Sequence, residues 1–120
     1  MRHILIGSAR KEVCKLFEML LWQTDRTFTN AYALNKCLHQ VKFSAPDLII
    51  MDGSIDTPER SFKALSMLKE DPATADIPIV LLTEPARDGE EKARLLLAAD
   101  ASLPEPFNPS EIKSLTEQFL

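Results

Sequence analysis

The chain is poor in the residues that most metal and nucleotide chemistries require. Its three glycines, Gly7, Gly53 and Gly89, lie too far apart to build a Gly-rich phosphate cradle, which argues against a nucleotide binder or nucleotide-using enzyme. Cys14 and Cys37 lack a CxxC spacing, and only His3 and His39 offer imidazole, so neither a zinc site nor a redox pair is predicted. Both cysteines read as free, buried thiols of a reducing compartment. No apolar run approaches the roughly 20 residues of a membrane span, and the start MRHILIGSARKEV turns charged too soon for a signal peptide. Acids and bases are interspersed at a formal net charge of -4, leaving no basic patch for nucleic acid or an anionic membrane. The expectation is a cytoplasmic protein with neither nucleic acid nor membrane as partner. At 120 residues, one domain spanning 1–120 has enough chain for a real core.

What is present is an alternation of two patterns. The runs HILI (3–6), DLIIM (47–51) and IPIVLL (77–82) are too short for buried helices and rich in branched aliphatics, as parallel strands covered on both faces require. TFTNA (27–31) reads as a strand nearer an edge, and ASL (101–103) as a fifth. Between them, apolar residues fall at helical spacing: Val13, Leu16, Phe17, Leu20 and Leu21; then Leu34, Cys37, Leu38 and Val41; then Phe62, Leu65 and Leu68. Two more helices are predicted over about 88–99 and 109–119. TPER (57–60) and NPSE (108–111) supply helix starts, the latter with a possible capping box from Asn108 to Glu111.

A strand-helix unit repeated five times requires crossover connections, and right-handed crossovers give a doubly wound, three-layer α/β domain. In such sheets the functional crevice lies beyond the carboxyl ends of the strands. Asp52, closing the apolar run PDLIIMD, is therefore predicted to reach that crevice from a central strand.

With Asp52 placed there, the chain resembles the receiver domains of bacterial two-component response regulators. PDLIIMD is similar to the strand bearing the phosphorylatable aspartate. LKEDPATADIPIVLLT resembles the connection into the fourth strand with its Thr83, and AADASLPEPF resembles the fifth strand and its Lys-Pro-Phe end. The resemblance spans the whole chain and implies a flavodoxin-like five-stranded parallel sheet of order 2-1-3-4-5. It further implies Asp52 as phosphoacceptor, Thr83 beside it, and magnesium as cofactor.

Five positions depart from the family pattern. The two acids expected after the first strand are Ser8 and Ala9, so Asp52 is left as the one ligand carboxylate, helped at most by the carbonyl of Ser54; magnesium is held poorly by so few oxygens. The lysine before the proline has become Glu105. At about 5 Å from a phosphoryl group and an effective dielectric near 20, that reversal costs about 3 kcal/mol. The small residue after Thr83 is Glu84, followed by Pro85, and the aromatic of the fifth strand is Ser102.

The resulting expectation is a degenerate receiver, not an enzyme and needing no cofactor, that acts as a phosphorylation-independent protein-interaction module. Arg10 or Lys11, with Arg10 preferred, is expected to pair with Asp52 where the metal would sit. The alternative is a receiver still phosphorylated on Asp52 by a histidine kinase, with magnesium. The resemblance places a protein partner (kinase, effector or second copy) on the face of helix 4, strand 5 and helix 5, through Glu91, Arg94, Lys113 and Glu117. Plainer roles are also expected: Ser8 as cap of the first helix, Thr83 satisfying backbone groups, and Pro106 after a cis peptide. Trp22 should close the core edge, His39 should be solvated, and LLLAA (95–99) should form the core face and a buried turn of the fourth helix.

Overall fold

The computed structural model describes residues 1–84 and 89–120, with the side chains of 90–92 and 94 outside the description. Strands β1 (Arg2–Gly7), β2 (Arg26–Ala31), β3 (Leu48–Asp52), β4 (Ile79–Thr83) and β5 (Ala101–Pro104) alternate with helices α1 (Lys11–Leu21), α2 (Leu34–Ser44), α3 (Pro58–Glu70), α4 (Glu90–Ala98) and α5 (Pro109–Phe119). All pairings are parallel and the sheet runs β2-β1-β3-β4-β5, a flavodoxin-like order.

Side chains alternate across a strand, so each strand feeds two cores. Leu5, Ile49, Met51, Ile79 and Leu81 pack under α2, α3 and α4, against Cys37, Val41, Leu65, Leu68 and Leu95. Ile4, Ile6, Leu48, Ile50, Val80 and Leu82 pack on the opposite face under α1 and α5, against Phe17, Leu21 and Ile112. Every residue of β3 is buried, whereas β2 at the sheet edge is only partly covered. This difference explains the continuous apolar run of one and the mixed sequence of the other. At roughly 1.5–3 kcal/mol for each fully buried aliphatic side chain, the double core is the dominant stabilising term.

Helix starts follow local chemistry. Thr57 accepts from the Arg60 N–H ahead of Pro58, and the Asn108 side chain accepts from the Ser110 and Glu111 N–H groups ahead of Pro109. Ser8, expected to cap α1, does not: Arg10 is the N-cap and no side chain caps the helix. The Ser8 hydroxyl instead lies just upstream, accepting the Arg10 N–H at 3.1 Å and donating to Asp52.

Two further expectations are corrected by helical geometry. Trp22 is 64 % exposed, because Val13, Cys14, Phe17 and Leu21 define the buried stripe of α1 and the next residue is rotated away from it. In LLLAA, Leu95 enters the core but Leu97, two residues on and across the helix, is 87 % exposed. Glu117 stays exposed on α5, and its carboxylate accepts from the largely buried Arg26 guanidinium at 2.8 Å. Pro85 lies outside the described residues, as do the side chains of Glu91 and Arg94. The Glu105–Pro106 peptide is cis. His39 is exposed, stacked on Phe43. Among the described residues, no helix is long and apolar enough to cross a membrane.

Candidate functional site

The site is built at the carboxyl end of the sheet, where β1, β3 and β5 end. β1 closes on Gly7, where an added Cβ would lie 2.8 Å from Cys37 Sγ, so the chain leaves the strand with no side chain between sheet and α2. Ser8 follows, fully buried, its carbonyl facing the Cys14 thiol at 3.7 Å. β3 ends on Asp52, which is 1 % exposed. The next residue must be small: the Gly53 N–H donates to the Leu82 carbonyl at 2.8 Å, and a Cβ would meet that oxygen at 3.0 Å.

Asp52 is held from both sides. Its Oδ1 accepts from the Ser54 N–H at 3.0 Å and the Ser54 hydroxyl at 2.8 Å. Its Oδ2 accepts from the Ser8 hydroxyl at 2.8 Å and from Arg10 through Nε and one terminal nitrogen, each at 3.0 Å. That terminal nitrogen also meets Glu105 Oε1 at 2.5 Å. Glu105 is fixed at the end of β5 by its N–H, which donates to the Thr83 carbonyl at 2.9 Å. The ends of β1, β3 and β5 thus converge on one guanidinium.

Burial by itself would raise the Asp52 pKa. The Ser54 N–H and hydroxyl, the Ser8 hydroxyl and the Arg10 charge outweigh it, holding the group below the ordinary carboxylate value. Burial likewise opposes the charge on Arg10, but the Glu105 hydrogen bond and the Asp52 charge prevail, so its pKa is raised. The site thus sets two carboxylates around one guanidinium.

The other sequence candidates fall around this cluster without entering it. Lys11 leaves Asp52 to Arg10 and places its ammonium over the Tyr32 ring, 5.2 Å from the centroid. Ala9 is exposed, Thr83 and Glu84 are half-buried at the end of β4, and Ser102 is exposed on β5. Two features escaped the sequence. Glu105, expected to repel a phosphoryl group, is the second partner of Arg10; Ser8, expected to cap a helix, is a donor to Asp52. The signal for the first was the pairing of signs: a cation at position 10, directly after the vacated acid positions, and an anion at position 105.

Magnesium does not fit this donor set. An ionised carboxylate offers about four lone-pair sites, and five N–H or O–H groups already address those of Asp52. A hard divalent ion would have to displace the guanidinium and complete its shell with oxygens that Ser8 and Ala9 do not supply as carboxylates. Among the described residues, no group of three or more His, Cys, Asp or Glu is placed to hold a metal ion.

The sheet order and an acid at the tip of its central strand define the class of structure: this is the fold of response-regulator receiver domains. Among solved structures, the chain is similar to the signal receiver domain of a signal transduction histidine kinase from Syntrophus aciditrophicus, with TM-score 0.85, 24 % identity, and coverage of 100 % of this chain and 90 % of that one. It is also similar to the chemotaxis response regulator CheY4 of Vibrio cholerae, with TM-score 0.83, 19 % identity, and coverage of 100 % and 99 %. A curated relative is the phosphate regulon transcriptional regulatory protein PhoB of Klebsiella pneumoniae, 25 % identical over 111 residues that make up 92 % of this chain and 48 % of PhoB. The chain therefore spans about half the length of that relative. No family model matches it.

Proposed function

We propose that the chain is a receiver-like domain of two-component signalling that has exchanged the phosphorylation switch for a fixed ion-pair cluster and works by binding another protein. The observation that carries this reading is the filled coordination of Asp52. Phosphoryl transfer to a carboxylate needs a free oxygen lone pair in line with the phosphorus and a cation to neutralise the equatorial oxygens. Here the lone pairs are committed to Ser8, Ser54 and Arg10, and the β5 position that would contribute a cation contributes the Glu105 carboxylate.

The partner surface is proposed on the α4–β5–α5 side, where Lys113 and Ser102 are exposed. Glu117 is also exposed, with its carboxylate paired to Arg26. The proteins similar in fold and sequence are described as a transcriptional regulator, a chemotaxis regulator and a histidine-kinase receiver domain; a kinase, an effector or a second copy are the corresponding partners here.

One observation favours a second reading, in which a histidine kinase still phosphorylates Asp52. The carboxylate is fully ionised near neutrality, and the Arg10 side chain covering it is 34 % exposed, so it has room to swing into water. Amide NMR with magnesium and beryllofluoride separates the two. A fixed cluster gives no saturable shifts around Asp52 and Thr83, while saturable shifts there would establish the phosphorylated form and overturn the first reading.

A further inference from the structure

Glu105 is a like-charge neighbour of Asp52 that a folded protein would ordinarily avoid, yet its position is tightly specified. Its backbone is tied to Thr83 and its carboxylate meets the nitrogen of Arg10 that also serves Asp52. Nε and that terminal nitrogen both point to the single oxygen Oδ2, so Asp52 does not grip the guanidinium as a two-oxygen fork. A long side chain held through one acceptor atom, at the mouth of a crevice, gains rotamer entropy by leaving. A second acceptor, just past the end of β5, removes that freedom.

From this geometry we infer that Glu105 is a positioning residue: it keeps the Arg10 guanidinium across the crevice, making Arg10 a built-in counter-cation that pins the β1–α1, β3–α3 and β5–α5 loops in one arrangement. This deepens the interaction-module reading and rests on it for its biological meaning: a partner would meet loops whose arrangement is preset. The guanidinium takes the site of a removable ion, and the acid on β5, inverted in sign from the family pattern, is what retains it.

The test is side-chain NMR of the intact chain, reading hydrogen exchange of the Arg10 Nε–H. In the wild type this proton should exchange at least about tenfold more slowly than that of Arg60, whose side chain is 68 % exposed. Glu105→Gln keeps the shape and removes the charge; it should bring the Arg10 rate to within about threefold of Arg60, with the Ser54 hydrogen bond to Asp52 retained. Equal Arg10 and Arg60 rates in the wild type, or an Arg10 rate unchanged by Glu105→Gln, would overturn the inference. Saturable beryllofluoride shifts in the wild type would instead overturn the interaction-module reading, leaving the exchange result to stand by itself.

Discussion

Lys69 and Asp100, 31 positions apart, meet at 2.6 Å where the connection after α3 returns to the sheet. The ammonium also donates to the Ile77 carbonyl at 3.0 Å and the Ala75 carbonyl at 3.4 Å, and the same Asp100 oxygen accepts the Ile79 N–H at 2.7 Å. This pair does more than an exposed ion pair, whose median worth is about 0–1 kcal/mol. It satisfies backbone groups that start β4. Asp100→Ala should destabilise the fold by about 2 kcal/mol, by leaving the Ile79 N–H without its acceptor and the ammonium with carbonyl partners alone. Urea unfolding should show a lower midpoint at unchanged slope.

Asp52 makes stability depend on acid. The folded state keeps this group ionised to lower pH than the unfolded chain, whose value is near 3.8, so the folded form binds fewer protons in that window. Its contribution is complete above the unfolded value and is lost as pH falls through the lower folded one. In Asp52→Asn that portion of the acid limb should disappear, giving a flatter dependence of unfolding free energy on pH below about 4 than the wild type shows. A parallel pair of curves would contradict the assignment.

Cys37 should be inert in the native state. Burial pushes its thiol up to about 12, with the nearby Cys14 adding to the shift, so almost no thiolate exists at neutral pH and none is reachable. Modification by a disulfide reagent should therefore follow unfolding, and its rate should rise with urea in step with the unfolded fraction. Prompt reaction of Cys37 without denaturant would count against the burial described for it.

Restoring the family pattern should rebuild a cation site. Ser8→Asp and Ala9→Asp together with Glu105→Lys return two carboxylates to the loop after β1 and remove the second anchor of Arg10. Calorimetry should detect magnesium binding in the triple variant and none in the wild type. If the variant folds and stays silent, the cation site of the ancestral pattern was not at Asp52.

The sequence shows the framework of this fold more clearly than its site. β1, β3 and β4 are legible because burial on both faces demands unbroken aliphatic runs, and the tip position of Asp52 follows from them. What escaped notice depends on angle or on distance along the chain. Trp22 follows buried Leu21 directly and Leu97 stands two residues after buried Leu95, and only the rotation per residue of a helix sends them outward. Adjacency to the vacated acid positions brought forward both Arg10 and Lys11 as neighbours of Asp52, and the charge-assisted bonding of a guanidinium favoured Arg10. The Arg10–Glu105 contact joins the β1–α1 and β5–α5 connections, which no local pattern links. The Arg26–Glu117 and Lys69–Asp100 pairs are long-range in the same way.

The void left by the hydrogen at Gly7 is occupied by the sulfur of Cys37. Those two positions therefore share a single allotment of space: one is small because the other is not. Over evolutionary time they should drift as a couple, a bulkier residue at 7 accompanied by alanine or glycine at 37, so that a shortlist of permitted pairings, rather than of permitted residues, describes this corner of the domain.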